Sequence, residues 1–243
     1  MEHHHILRGE TPATLRRLKW LFTSLGLSGA REFPCNRWGA VPSAVPITLR
    51  DSRRADGAQL LASIREEMGD CKRCRLHEGR GHLVFGEGSP SAPLVFVGEG
   101  PGFDEDRQGR PFVGRAGKLL DKMIDALQLA RKDLYICNVV KCRPPGNRTP
   151  QSDETEICST FLVRQLMAIR PRVICTLGAC AARTLLGTLA PMTVLRGKVH
   201  QWRGIPLVCT FHPAYLLRNP SQKPSTLKDL REIHRILSAQ EGG

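Results

Sequence analysis

Four continuous apolar runs of strand length set the tightest limit on what this chain can fold into: "APLVFVG" (92–98), "DLYICNVV" (133–140), "PRVICTLG" (171–178) and "IPLVCTF" (205–211). A strand with one wet face alternates apolar and polar residues, whereas a strand covered on both faces does not. Segments with helical spacing lie between the runs. Leu60, Leu61, Ile64 and Met68 recur at that spacing in 58–69, and Leu119, Leu120, Met123, Ile124 and Leu127 do so in 116–129. Residues 152–170 begin with an acidic first turn at Ser152 and Glu154, and helices are expected at 179–187 and 225–238. The alternation predicts a three-layer α/β/α domain around a central four-stranded parallel sheet with right-handed crossovers. Sites in such sheets gather at the C-terminal ends of the strands.

The first strand runs into "VGEGPGFDEDRQGRPFVGRAG" (97–117). Gly98, Gly100 and Gly102 let the backbone approach a ligand closely. Asp104, Glu105 and Asp106 beside Glu99 would repel a pyrophosphate, and Pro101 breaks the run that a dinucleotide fingerprint needs. What remains is a glycine-rich wall presenting Glu99, with Phe112 on the same loop. The second strand ends near Asn138, whose amide carries both an acceptor and donors and can read a nucleobase edge. The fourth strand enters "TFHPAYLLRNP" (210–220), with His212 at its tip and Pro213 fixing the turn. Leu216 and Leu217 offer an apolar wedge, and Arg218 a phosphate contact. A solvated acidic turn, a structural Asn and a loop His are the bland readings of the same residues.

Nine cysteines, an odd number, argue against a complete disulfide framework and for a reducing cytoplasm. Cys71 and Cys74 have the spacing that lets two thiolates share one metal. Cys142 and Cys158 flank a proline-rich loop and complete a four-thiolate set suited to zinc or to an iron–sulfur cluster, the long second spacing favouring a cluster. Cys137, Cys175, Cys180 and Cys209 fall in apolar runs and read as buried small hydrophobes; Cys35 has no reading.

Residues 1–55 differ from the rest: an amphipathic basic helix at 13–25, then a Pro-, Ala-, Gly- and Arg-rich linker. The domain is therefore placed at 56–243. Residues 15–30 look like a signal segment only superficially, because Ser, Thr and Gly dilute a short apolar core. No run approaches the roughly 18 apolar residues of a membrane span. The formal charge of +13 suits a polyanion such as nucleic acid.

Taken in order, "CKRCRLHEGRGHLVFGEG", "VGEGPGFDEDRQGRPFVGRAGKLLD", "NVVKCRPPGNRTP" followed by Cys158, and "HPAYLLRNP" resemble the family 4 uracil-DNA glycosylases, the iron–sulfur branch of the uracil-DNA glycosylase superfamily. The resemblance covers about 65–238. It implies a base-excision repair enzyme that flips uracil out of single- or double-stranded DNA and hydrolyses its N-glycosidic bond; the chain is expected to be a cytoplasmic monomer. It also implies a structural [4Fe-4S] cluster on Cys71, Cys74, Cys142 and Cys158. Gly98, Glu99 and Gly100 would form the base-pocket wall, Phe112 would stack on uracil, Asn138 would read its edge and His212 would lie by its carbonyl. Glu105 matches an acidic position that supports activity. The loop "CRPPGNRTP" lacks the basic, His-containing insertion of the covalently trapping branch. Two other classes stay open from the residues alone: a non-catalytic iron–sulfur DNA-binding protein and an electron-transfer iron–sulfur protein.

Overall fold

A computed structural model describes residues 47–239. The sheet has six strands: β1 (Glu87–Gly88), β2 (Leu94–Gly98), β3 (Tyr135–Asn138), β4 (Val173–Leu177), β5 (Val199–Trp202) and β6 (Ile205–Thr210), in the order β1-β3-β2-β4-β6-β5. The expected four parallel strands form its centre, β3-β2-β4-β6. Short antiparallel strands, β1 and β5, add an edge on each side. Neither edge has the apolar run that marks the inner strands: β1 is two residues long, and β5 reads Val-His-Gln-Trp with only Trp202 buried.

The helices are α1 (Ile47–Met68), α2 (Phe103–Gln108), α3 (Arg115–Ala126), α4 (Ser152–Ile169), α5 (Ala179–Leu186), α6 (Met192–Leu195), α7 (Pro213–Arg218) and α8 (Lys223–Ala239). Successive strand residues point to opposite faces and divide the core in two. Val95, Val97, Cys137, Ile174 and Leu207 pack with Leu61 and Ile64 of α1, Leu162 and Leu166 of α4 and Leu185 of α5. Leu94, Phe96, Ile136, Cys175 and Val208 pack with Leu120 and Ile124 of α3, Leu216 of α7 and Leu230 and Ile233 of α8. Burying each such large side chain contributes about 1.5–3 kcal/mol relative to leaving it exposed.

Helix α1 begins at Ile47, inside the stretch expected to be linker, and crosses the expected domain boundary. The chain has no proline between Pro46 and Pro90, so nothing interrupts a helix there. Gly57 sits where a Cβ would lie 2.5 Å from the Pro90 carbonyl oxygen, a close approach that looks like linker composition in the sequence. The basic helix expected at 13–25, and Cys35, lie outside the described residues. Among the described residues no helix is long and apolar enough to cross a membrane.

Candidate active site and thiol centre

The C-terminal ends of β2, β3 and β6 open into one cavity of about 460 Å³. Glu99, Gly100, Glu105, Phe112, Asn138, His212 and Arg218 all line it, joined by Thr149 and Tyr215. Strand register sets its floor, because Gly98 pairs directly with Asn138. A Cβ on Gly98 would lie 2.4 Å from Asn138 Oδ1 and 2.6 Å from Cζ of Phe112, so only glycine lets these two side chains meet over the strand end.

Asn138 is 1% exposed, and its Oδ1 is buried without a hydrogen-bond partner. An unsatisfied buried acceptor costs about 1–3 kcal/mol, which a ligand N–H would recover. The residue is fixed from below. Buried Lys141 donates from Nζ to the Asn138 carbonyl at 2.7 Å and to Gln165 Oε1 at 2.6 Å, and Gln165 in turn donates to the Phe85 carbonyl at 3.0 Å.

Phe112 has φ +52, a left-handed conformation that an L residue adopts at a cost of order 1–3 kcal/mol. Glu105 holds the loop in it. Its Oε1 accepts N–H groups from Val113 at 2.9 Å and Gly114 at 3.0 Å, and its Oε2 accepts Gly102 N–H at 3.1 Å. This carboxylate, expected among the catalytic groups, is committed to backbone. Arg131 adds a bond from Nη2 to the Pro111 carbonyl at 2.5 Å.

His212 is the N-cap of α7, and its ring lies 5.6 Å from that of Phe112. Ala214 N–H donates to Nδ1 at 3.1 Å, which leaves the ring proton on Nε2. Burial and then the nearby Arg218 charge push its pKa down to about 4, so the ring is neutral at pH 7. Gly178, at φ +92, packs behind it, where a Cβ would lie 3.1 Å from that of His212. Burial raises the Glu99 carboxyl above its ordinary value, opposed by a hydrogen bond from the Thr149 side chain.

The two candidate wedge leucines separate. Leu216 is 1% exposed in the core, so inserting it into DNA would unpack α7; Leu217 is 39% exposed. Thr149 was missed because a contact across fifty residues leaves no local pattern. Its only sequence signal was membership of "GNRTP" after the second strand.

Cys71, Cys74, Cys142 and Cys158 face one small space, otherwise walled by Met68, Leu83, Ile157 and Phe161 with Arg73 and Lys141. Donors surround the sulfurs: Arg80 Nη1 to Cys142 Sγ at 3.2 Å, Lys141 N–H to Cys158 Sγ at 3.3 Å and Arg73 Nη1 to Cys71 Sγ at 3.5 Å. Burial pushes the Cys158 thiol up to about 11, so a metal would have to displace its proton. Among the described residues no three Cys, His, Asp or Glu side chains converge on a point suited to one ion. Four thiols facing one space form an all-sulfur donor set that fits zinc or an iron–sulfur cluster. Cys137, Cys175 and Cys209 are buried as expected, but Cys180 is only partly buried and close enough to Glu99 to feel its charge.

Residues 85–235 match the model of the uracil DNA glycosylase superfamily. The chain is 47% identical over 167 residues to a type-4 uracil-DNA glycosylase of Thermotoga maritima, covering 68% of this chain and 87% of that protein. It is 43% identical over 185 residues to the type-4 enzyme of Sulfurisphaera tokodaii, covering 72% and 84%. To that of Archaeoglobus fulgidus it is 40% identical over 189 residues, covering 74% and 95%.

Proposed function

The chain belongs to the type-4 branch of the uracil-DNA glycosylase superfamily, and on that premise we propose that Phe112, Asn138, His212 and Glu99 bind and release a uracil swung out of DNA into the cavity. It is a uracil-DNA glycosylase, excising uracil from DNA. The observation that carries the site assignment is the buried, unpartnered Oδ1 of Asn138. Uracil presents an N3–H donor to that acceptor, whereas cytosine presents a lone pair there and is repelled.

Flipping a base costs a few kcal/mol. Stacking on Phe112 returns about 1–3 kcal/mol of it, and Leu217 fills the vacated stack. The Phe112 ring, packed against Gly98, is the wall that would exclude the thymine methyl. As the glycosidic bond lengthens, electrons move onto the uracil ring and positive charge gathers on the sugar. The Nε2–H of neutral His212 donates to the uracil carbonyl oxygen that gains charge. Ionised Glu99, oriented by Thr149, stabilises the sugar and positions the attacking water. Arg218 takes a phosphate. Glu105 is a positioning residue that holds the Phe112 loop.

We place a [4Fe-4S] cluster on Cys71, Cys74, Cys142 and Cys158, supported by the all-thiolate donor set and by the type-4 relatives. When bound, it supplies crosslinks rather than chemistry at the base. A uracil-containing oligonucleotide incubated with fresh protein should break at uracil only after alkali. No break would sink this reading; a break before alkali would replace it with a lyase.

A further inference from the structure

Among the described residues every Phe, Tyr and Trp is buried except two, and both flank the cavity. Tyr215 lines it on the β6 side. Phe103, 57% exposed, follows the cavity residue Gly102 on the β2 side. Arg143 precedes the cavity residue Pro144, and its guanidinium carbon lies 5.1 Å from the centre of the Phe103 ring. Arg143 Nε donates to Asn147 Oδ1 at 2.7 Å, and Asn147 itself lines the cavity. The arginine is thus pinned over the ring while more than half of the Phe103 surface stays open.

We propose that the Phe103–Arg143 pair is a stacking platform for the nucleobase adjacent to the flipped uridine in the same strand. The proposal rests on the glycosylase reading and adds a subsite to it. Three observations support a base as the occupant. The ring is flat, exposed and backed by a cation, which polarises it toward stacking. The pair bridges the loops after β2 and β3, the first carrying Glu99 and the second following directly on Asn138, so a strand entering the cavity passes it. The guanidinium also offers donors to the phosphate of the same nucleotide, in a chain of formal charge +13. On the other side of the sheet centre Tyr215, Leu217 and Arg218 face the rest of the strand, because β4 separates β6 from β2.

The test uses single-stranded oligonucleotides containing 2′-fluoro-2′-deoxyuridine, which resists cleavage, with fluorescent 2-aminopurine on its 5′ or 3′ side. Wild-type protein should quench 2-aminopurine at one of the two positions. Phe103→Ala should lose that quenching and bind about tenfold more weakly, and Phe103→Trp should restore both. Leu189→Ala, an exposed apolar residue away from the cavity, is the control. The Phe103→Ala deficit should persist at high salt, whereas that of Arg143→Gln should shrink as salt rises. Free uracil should inhibit Phe103→Ala and wild type equally, which separates the platform from the base pocket. Equal quenching and affinity in Phe103→Ala and wild type, with uracil still released by both, overturns the platform and leaves the glycosylase reading intact. Failure of the wild type to release uracil overturns both.

Discussion

Asn138 and Glu99 each keep a polar group in a poor environment for the protein and a useful one for a ligand. The Asn138 amide has an orphaned acceptor, so its side chain is available for recognition. Asn138→Asp keeps the shape and an acceptor but removes the amide donors. Uracil release should fall by at least about tenfold, given about 0.5–1.5 kcal/mol per neutral hydrogen bond plus the cost of a buried charge. Preference for uracil over cytosine should narrow. Paired oligonucleotides containing one or the other base measure it, and unchanged discrimination would remove the reader role. For Glu99 the pH dependence has a definite sign. Burial raises its folded pKa, so stability is greatest while it is protonated and declines as pH rises through the folded value. Once ionised it costs stability, and Glu99→Gln should raise the melting temperature while lowering the rate at least about a hundredfold. His212, with a pKa near 4, stays neutral as pH falls from 7 to 5. The acid limb of the single-turnover rate should therefore disappear in Glu99→Gln. A lower melting temperature in that variant, or an acid limb that persists, would contradict the assignment.

At the scale of elements, α2 has the most effect for its size. Its six residues carry Asp104, Glu105 and Asp106 in the first turn, where carboxylates meet free N–H groups and the helix dipole. Glu105 turns toward the Phe112 loop, while Asp106 accepts N–H groups from Gly81 at 2.9 Å and from His82 at 3.3 Å. Glu105→Ala removes three acceptor contacts and releases the left-handed Phe112. We expect a stability loss of about 2–3 kcal/mol and weaker inhibition by free uracil, with the acid limb of the rate still present. Urea unfolding and uracil titration measure these. Loss of the acid limb instead would make Glu105 a proton-transfer group. This helix also marks the limit of what the sequence disclosed. The inner strands were legible because burial on both faces writes a continuous apolar run, and their tips then located Glu99, Asn138 and His212. Helix α2 has no apolar stripe, and its acids read as a solvated turn because the donors that Glu105 and Asp106 accept from are backbone N–H groups of other loops. Leu216 and Leu217 were equivalent as text. One residue of helical rotation, visible only once α7 packs on α3 and α8, separates core from surface.

For the whole molecule, the question is what holds the segment before the sheet onto the elements that form the cavity. Arg75, just after Cys74, pairs with Asp153 at 2.6 Å and Glu154 at 3.4 Å on α4, the helix of Cys158. Arg148 pairs with the same buried Glu154 at 2.6 Å and stands beside Thr149. Arg80 binds the Cys71 carbonyl at 2.6 Å as well as Cys142 Sγ, and its neighbour Gly81 reaches Asp106 of α2. The four thiols thus lie where three segments distant in sequence meet, and two of those segments lead directly to Thr149 and Glu105. The cluster proposed there would restrain the cavity without touching the base. On that proposal Cys71→Ala would remove one of its ligands while changing no residue of the cavity. We expect the yellow-brown absorption of the protein to fade and stability to drop by about 4 kcal/mol, which lowers the melting temperature of a domain this size by roughly 8–16 °C. Below that temperature, uracil release should decline far less than in Glu99→Gln, which should keep the colour. Visible spectra, thermal melts and single-turnover rates on the two variants separate the roles. A colourless wild-type protein, or a Cys71→Ala variant with full colour and melting temperature but no activity, would move the thiols from architecture to chemistry.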